Sequence, residues 1–484
     1  MNGWLTRGAR RKWAVIASFT FLVACVDATF PVRSSALSIS EEKELGAKIL
    51  DVIKEHMPLV EDGEVITYVQ SIGKRIVSHI GPTPYEYQFF IVNEPVPNAF
   101  AIPGGYIFLY RGLIEIMQSE GELAGIISHE LSHIQARHIH RRMEEGRIIN
   151  IATIAGALAG ILLGTTTKSN AAGALTLGSA AGGAALQLKY SRENEEEADQ
   201  LGLRYLVAAG YPANDMANGM LRLIQGRYVS NSRIPSYLST HPALSERVSY
   251  LSDLAQKERA SGKRAPRKAA LGDFSMMQAA LIADYADPQI ASDRFQSAAK
   301  ESESFAIYGL GRLALRQGDF EKALPYLQKV ARMEASSSLA LSTLGAAYYK
   351  TGNLPEAQKV LQSALVLDPS ASIVHLRLAM ISRELGQKDE ALEHLQRIED
   401  LAPTFPEIDY QMGVVLGQLN RLGPAHFYLG RYYESRHDWK VALFHFGKAK
   451  ALLRESHHKF GDIDRMIKDV EKKRNEAQWK PMRG

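Results

Sequence analysis

Residues 129–133 read His-Glu-Leu-Ser-His, a spacing that can place a metal ion on one face of a helix. In an α-helix, positions i and i+4 lie about 40° apart around the axis, so His129 and His133 project from the same side. Two imidazoles in that arrangement can bind a single tetrahedral Zn²⁺ per chain. Glu130 lies about 100° further round, beside the metal. The motif therefore predicts zinc-dependent hydrolysis in which Glu130 is the catalytic base.

An acidic run at residues 195–199, Glu-Glu-Glu-Ala-Asp, can complete this metal site. A catalytic zinc usually has three protein ligands and one open position. Glu195 is the best third ligand and lies in a predicted helix over 193–207, with Glu196 and Glu197 as the competing choices. Asp199 stands one helical turn after Glu195, where it could orient a histidine ligand or assist the reaction. A solvated helix face would also be rich in carboxylates, so the run carries weight only together with the histidines.

The elements before the histidine motif predict how the site is built. Ser119 and Glu122 have the spacing of a capping box, which starts a helix, and apolar residues then recur at helical spacing at Leu123, Ile127, Leu131 and Ile134. Residues 85–92 are a predicted strand, and 98–102 and 106–110 a predicted hairpin around Pro103-Gly104-Gly105. An extended peptide can add to a hairpin edge as a further strand. Residues of the hairpin that we expect to align substrate are Asn98, Ala99, Phe100, Gly104 and Gly105.

The C-terminal part of the chain repeats. Gly318, Gly352 and Gly386 are 34 residues apart, and an alanine follows each of them at the same distance. This period is typical of tetratricopeptide repeats, in which helix pairs stack into a superhelix with a concave surface for peptide or protein partners. Residues 437–442 repeat the pattern half a period out of step, which predicts a final, distorted unit.

Four segments together resemble one zinc metallopeptidase family, that of the membrane proteases HtpX and the CAAX prenyl endopeptidases. The segments are 98–113, 129–133, 191–199 and 241–247, in that order. The chain is most similar to the family's periplasmic branch, which joins the peptidase domain to tetratricopeptide repeats. The resemblance implies zinc ligands His129, His133 and Glu195, a catalytic Glu130 and an accessory acid at Asp199, because the family's acidic motif is Glu-x-x-x-Asp.

The motif His-Pro at residues 241–242 closes the peptidase domain, and in the family it lies close to the metal site. We hypothesise that His241 occupies the fourth zinc position and holds the enzyme latent. Arg247, six residues later, is expected to pair with an acidic residue nearby.

The predicted fold class is mainly α: an α+β zincin-like metallopeptidase domain with a small sheet, followed by an all-α repeat solenoid. A chain of 484 residues is too long for a single core. The predicted domains are an export signal at 1–28, the peptidase domain at 38–254, a basic linker at 255–275, the repeat domain at 276–460 and a tail at 461–484.

The N-terminus predicts export. Basic residues between 7 and 12 precede an uncharged apolar run over 14–24, which is short for a membrane span. Residues 22–25, Leu-Val-Ala-Cys, resemble a lipobox, in which a lipidated Cys25 would anchor the protein to the outer membrane. Cleavage after Ala28 would instead release a soluble form. Family context implies the periplasm in both cases.

Residues 148–188 are almost uncharged and rich in Gly and Ala. We interpret them as a lid over the active-site cleft, and the alternative is a pair of membrane helices as in HtpX-like proteases. The net charge of +4 is small for this length and indicates no nucleic-acid partner.

Three functions follow from these observations. The first is an exported endopeptidase that degrades misfolded or stalled envelope proteins and whose repeats dock to the outer-membrane assembly machinery. The second is a latent-site chaperone or scaffold with little proteolysis. The third is a membrane-embedded protease.

Overall fold

The computed structural model describes residues 37–144, 190–229, 237, 240–260, 274–400, 406–453 and 462–478. The chain divides into two compact units, Met1–Ala286 and Asp287–Gly484. The described residues are mostly helical with one small sheet, which confirms the predicted fold class. The predicted export signal and the segment 148–188 lie outside the described residues. No helix in the described ranges combines the length and the apolarity that a membrane span requires.

The first unit contains nine helices and three strands within the described ranges. In chain order they are α1 (Ile39–His56), α2 (Gly63–Val77), β1 (Gln88–Val92), β2 (Ala99–Ile102), β3 (Tyr106–Tyr110), α3 (Arg111–Ile116), α4 (Glu120–Gln135), α5 (His138–Glu144), α6 (Arg192–Ala208), α7 (Asn214–Val229), α8 (Leu244–Ala260) and α9 (Phe274–Tyr285).

The sheet has the order β1-β3-β2, with β3 parallel to β1 and antiparallel to β2. β2 and β3 form the predicted hairpin, and Ala99 pairs with Leu109 at its open end. Its turn needs glycine because Gly104 and Gly105 have φ angles of 89° and 103°, in the left-handed region. The first strand begins at Gln88, three residues after the predicted start at Tyr85.

The helix α4 is buried on every side, and packing of its apolar residues fixes its position. Leu123, Ile127 and Leu131 are all fully buried. Ser119 caps the helix by accepting a hydrogen bond from the Glu122 backbone N–H. Glu122 does not complete the predicted capping box, because its carboxylate accepts from the Gln118 N–H instead. The cap still sets the start of the helix and hence the direction in which the histidines point.

The helix α9 belongs to the first unit. The Gln278 side chain donates hydrogen bonds to the carbonyl oxygens of Ile114 and Met117, at 2.7 and 2.6 Å. The hydroxyl of Tyr285 accepts from the backbone N–H groups of Glu61 and Asp62. The division after Ala286 therefore lies beyond the predicted start of the repeat domain at 276.

The second unit is a series of helix pairs. Its helices are α10 (Pro288–Ala298), α11 (Glu303–Gln317), α12 (Phe320–Met333), α13 (Ser338–Lys350), α14 (Leu354–Leu367), α15 (Ser372–Glu384), α16 (Lys388–Asp400), α17 (Pro406–Gln418), α18 (Leu422–Ser435), α19 (Trp439–Leu452) and α20 (Ile463–Gln478).

The repeated glycines of the second unit are turn residues. Gly318, Gly352 and Gly386 have φ angles of 76°, 75° and 79°, so each ends one helix and allows the next to reverse direction. Asn420 takes the same place in the following pair, with φ of 59°. His437, also at 59°, makes a similar turn between α18 and α19, where the sequence predicted a unit out of step.

Candidate metal centre

Four buried side chains from α4, α6 and the segment before α8 converge on one point. They are His129, His133, Glu195 and His241, and one ligand atom from each lies within 4.8 Å of all the others. Nε2 of His129 is 3.0 Å from Nε2 of His133 and 3.4 Å from Nδ1 of His241. Oε1 of Glu195 is 2.9 Å from Nδ1 of His241 and 3.8 Å from Nε2 of His133. The three positions expected as ligands from the sequence therefore lie together, and His241 joins them.

The spacing of these atoms fits a zinc ion. Bonds of about 2.0–2.2 Å in a tetrahedral site place neighbouring ligand atoms about 3.3–3.6 Å apart. The four distances given above, from 2.9 to 3.8 Å, span that range. Nitrogen and carboxylate oxygen are also donors that Zn²⁺ prefers. The residues present are therefore suited to the metal that the sequence motif predicts.

The close approach of α4 and α6 depends on Gly202. A Cβ atom at Gly202 would lie 3.1 Å from the backbone N of His129 and 3.1 Å from the carbonyl carbon of Ser128. These are backbone atoms of a buried helix and cannot easily move away. Glycine at this position therefore lets Glu195 on α6 reach the histidines on α4.

His241 is held by the chain around it. Its backbone N–H donates to the Tyr237 carbonyl at 2.9 Å, and the two rings stack with centroids 4.3 Å apart. Ala243 has a φ of 61°, so the chain turns sharply before α8 begins at Leu244. Because of this turn, the segment that carries His241 does not continue the axis of α8.

Asp199 and Arg247 lie directly behind the ligands. Oδ1 of Asp199 is 2.9 Å from Nδ1 of His129, which leaves Nε2 of that ring directed at the other ligands. Arg247 donates to both Asp199 oxygens, at 2.8 and 2.7 Å, and also pairs with Glu195. The Tyr250 hydroxyl contacts Asp199 as well. Arg247 thus pairs with two carboxylates at once and ties the acidic helix α6 to α8.

A second chain of contacts lies behind His133. Nδ1 of His133 is 2.8 Å from Nδ1 of His138, and Nε2 of His138 is 3.2 Å from a Glu197 carboxylate oxygen. Arg141 donates to the same oxygen at 2.9 Å. Of the competing ligand choices, Glu197 therefore faces His138 and Arg141, and Glu196 is exposed. Sequence reasoning did not find His138, because a residue five positions after His133 would lie on another face of a continuous helix.

Glu130 is the least satisfied group of the site. Its side chain is fully buried, and neither carboxylate oxygen has a hydrogen-bond partner among the described residues. Nε2 of His241 lies 3.7 Å from its Oε1. Buried carboxylates are nearly always hydrogen-bonded, so an unsatisfied one indicates a group kept ready for another molecule.

The electrostatics of the site favour a cation at its centre. Burial opposes ionisation of Glu195, but the charges of His241 and Arg247 outweigh it and hold the pKa of Glu195 well below its usual 4.5. Burial likewise acts on Asp199, and Arg247 together with His129 keeps its pKa below 3.8. Two ionised carboxylates therefore lie beside the imidazoles.

The two helical histidines differ in protonation. Burial and the Arg247 charge act to lower the pKa of His129, but hydrogen bonds to Asp199 and Glu195 raise it to about 9. Burial lowers the pKa of His133 well below 6.5, and the charge of His129 adds to that effect. Without metal, a proton on His129 thus adds a second positive charge beside the carboxylates, next to that of Arg247. A divalent cation could replace that proton, as metal binding commonly does.

The predicted substrate-aligning residues lie at and around β2. Asn98 and Ala99 are buried, with exposed fractions of 2% and 1%. The Asn98 carbonyl accepts from the Tyr110 N–H, and Phe100 stacks on Phe108 with ring centroids 4.8 Å apart. Within the described residues β2 pairs with β3 on one side and has no strand on the other. Gly104 and Gly105 form the turn at the far end of the hairpin.

Comparison with known proteins matches both units to described families. Residues 65–255 match Peptidase family M48. Residues 286–340, 314–373 and 374–404 match three tetratricopeptide-repeat families. Residues 65–255 are therefore similar to M48 peptidases, and residues 286–404 are similar to tetratricopeptide repeats.

Several named proteins match parts of this chain. A putative beta-barrel assembly-enhancing protease of Vibrio cholerae is 33% identical over 62% of this chain and 62% of its own length. The chain thus covers less than two thirds of that relative. The mitochondrial metalloendopeptidase OMA1 of Schizosaccharomyces pombe is 27% identical over 37% of this chain and 50% of its own. A thermophilic TPR protein of Thermus thermophilus covers 36% of this chain and 96% of its own, at 21% identity and a TM-score of 0.31.

Proposed function

We propose that this chain, with its M48 peptidase domain and tetratricopeptide repeats, is an exported zinc endopeptidase of the cell envelope. It hydrolyses peptide bonds in misfolded or stalled envelope proteins, and its repeat domain docks to partners. One observation carries the proposal: the buried group of His129, His133, Glu195 and His241 lies beside an unsatisfied Glu130. The names of the relatives, which are proteases and metalloendopeptidases, support it.

His129, His133 and Glu195 would hold one Zn²⁺ per chain. A bound Zn²⁺ would supply Lewis acidity, which polarises a peptide carbonyl and makes a water molecule acidic near neutral pH. Asp199 accepts from Nδ1 of His129 and so keeps Nε2 directed at the ligand point. Arg247 keeps both carboxylates ionised and in place.

Glu130 is the catalytic base in this proposal. Its oxygens have no partner within the described residues, so they can accept the proton of an attacking water. The same carboxylic acid then returns the proton to the leaving amine, which prevents the peptide bond from re-forming. Burial excludes competing water from Glu130, and the proton is therefore passed between two defined atoms.

The free edge of β2 would align the substrate. An extended peptide that pairs with this edge would present its backbone near α4, which packs against β2. Such binding uses main-chain hydrogen bonds and so accepts many sequences, provided that the segment is unfolded. Misfolded proteins offer segments of this kind.

His241 would act as a latch. Its Nδ1 lies 2.9 Å from Glu195 and 3.4 Å from Nε2 of His129, at the position of a fourth ligand. A catalytic zinc needs that position for water, so His241 must leave it before hydrolysis. We expect His241→Ala to hydrolyse casein faster than the wild type at equal zinc content. Unchanged or lost activity in a folded, zinc-loaded variant would contradict the latch.

The repeats support a docking role at the outer membrane, where assembly of β-barrel proteins takes place. The name of the Vibrio relative refers to that process, and the repeat units match families that bind proteins. Lipidated Cys25 would anchor the mature chain there, and cleavage after Ala28 would leave it in the periplasm. Mass spectrometry of the mature N-terminus distinguishes the two forms.

Casein cleavage by wild type and Glu130→Gln tests the activity directly. We expect the substitution to abolish cleavage while zinc content, measured by mass spectrometry, stays the same. Glu196→Gln is the matched control because Glu196 is exposed and accepts a hydrogen bond from Gln200. If wild type and His241→Ala both bind zinc and neither cleaves casein, a scaffold or chaperone is favoured. Resistance of the full chain to alkaline extraction as Cys25→Ala, which has no lipid anchor, would favour the membrane-embedded alternative.

A further inference from the structure

We propose that His138 is a positioning residue for the metal centre. It would hold the His133 ring in one tautomer and orientation and connect that ring to Glu197 and Arg141. The inference rests on the proposed function in so far as His133 is a ligand, and it adds a residue that the sequence motif does not contain.

The hydrogen positions follow from the contacts. Nε2 of His133 faces the ligand point, and a ligating nitrogen carries no hydrogen. The neutral ring must therefore carry its hydrogen on Nδ1, which lies 2.8 Å from Nδ1 of His138. Since only one hydrogen fits between two ring nitrogens, Nδ1 of His138 is the acceptor. Its own hydrogen is then on Nε2, which donates to Glu197 at 3.2 Å.

The local fold is built to hold this arrangement. The chain leaves α4 through Arg137, whose φ of 53° is unusual for a residue other than glycine. This turn directs His138 back to His133 and leaves its side chain fully buried. Arg141 donates to the Ala136 carbonyl at 2.8 Å and to Glu197 at 2.9 Å, so it links the turn to α6.

Tyr190 restricts the tilt of the His133 ring. It stacks on His133 with centroids 3.9 Å apart and planes at 27°. Stacking sets the plane of His133, and the hydrogen bond to His138 sets its rotation within that plane. Neither contact alone would do both.

The two helical ligands are therefore supported differently. His129 contacts a carboxylate directly, with Asp199 at 2.9 Å. On its Nδ1 side, His133 reaches a carboxylate through a second imidazole, that of His138. A direct carboxylate raises the basicity of a ligand, whereas a neutral imidazole mainly sets its orientation. We infer that His138 contributes to metal affinity by orientation.

Zinc affinity of the purified full chain, measured by competition with a chromophoric chelator, tests the inference. His138→Phe keeps the ring volume but removes the acceptor, and loss of such a partner typically lowers metal affinity by about 10- to 100-fold. His138→Asn places an amide oxygen near the position of Nδ1 and should restore part of the affinity. His140→Phe is the matched control on the same helix, since Nε2 of His140 faces Glu144 at 3.2 Å.

The outcomes separate this inference from the proposed function. Wild-type affinity in His138→Phe, or equal losses in the Phe and Asn variants, would overturn the positioning role and leave the endopeptidase proposal intact. Zinc binding without any proteolysis, in wild type and in His241→Ala alike, would overturn the endopeptidase and leave the role of His138 standing. Failure of the wild type to bind zinc would overturn both. The visible spectrum of the Co²⁺ form gives a second readout, which should change in His138→Phe and not in His140→Phe.

Discussion

Replacement of Arg247 by leucine should strongly destabilise the metal-free peptidase unit. Arg247 has a side chain only 4% exposed, and it pairs with Asp199 at 0% and Glu195 at 2% exposure. Leucine would fill much of the space but would leave two buried carboxylates without their cation. Removal of one partner from a buried ion pair costs about 3–5 kcal/mol. The burial of all three groups means that solvent screening does not reduce this figure.

Hydrogen exchange of the α4 amides, measured by mass spectrometry in the presence of a chelator, gives the local free energy of opening. A loss of 3–5 kcal/mol corresponds to exchange that is roughly 100- to 4,000-fold faster, since about 1.4 kcal/mol is a factor of ten. Arg192→Leu is the matched control, because its pair with Glu246 is 74% and 70% exposed. Exposed pairs of this kind contribute little, and we expect no measurable change.

A double variant identifies the cause. If the loss comes from the charge left on Asp199, then Arg247→Leu combined with Asp199→Asn should be more stable than Arg247→Leu alone. Exchange rates in Arg247→Leu that match those of Arg192→Leu would refute the reasoning. So would a double variant that recovers nothing, because the destabilisation would then arise from packing.

Three further predictions concern packing, pH and metal. Gly202→Ala should lower the rate of casein cleavage by about tenfold or more, because the added Cβ would press on the backbone of His129. Gly447→Ala is the control, because a Cβ there meets no atom within 4 Å, and it should leave the rate unchanged. Burial lowers the pKa of His375 and of His394, whose Nδ1 atoms are 3.0 Å apart. The unfolded state therefore takes up more protons than the folded state below about pH 6.5, and the free energy of unfolding should fall as pH falls below that value. Between about pH 7.5 and 5.5, chemical denaturation should show a larger fall in this free energy for wild type than for His394→Phe. Chelation should lower the midpoint of thermal unfolding, and added zinc should restore it. At free zinc about a thousandfold above Kd, the free energy of unfolding should rise by about 4 kcal/mol. A midpoint that does not respond to zinc would contradict the metal site.

Much of the candidate site could be predicted from residues close together in the chain. The spacing of His129 and His133 requires only helical geometry, and the cap at Ser119 with a buried apolar stripe predicts that helix. The hairpin and the repeat turns were likewise predicted from Pro-Gly-Gly and from glycines at a fixed period, since the left-handed backbone of these turns favours glycine.

Other features could not be predicted, because they depend on contacts between distant segments. His138 acquires its role from the turn at Arg137, which breaks the helical periodicity. The link of Arg247 to both Glu195 and Asp199 depends on how α8 packs near α6. The allocation of α9 to the first unit depends on Gln278, whose partners lie more than 150 residues earlier.

The sequence by itself determined the type of chemistry and the two kinds of architecture, because short-range periodicity dictates which side chains share a helix face and where the chain turns. Only the tertiary structure decided that Arg247 joins Glu195 to Asp199 and that His133 contacts His138. These choices depend on distances of about 3 Å between side chains from separate elements. Such distances are set by packing around residues such as Gly202, and local pattern contains no information about them.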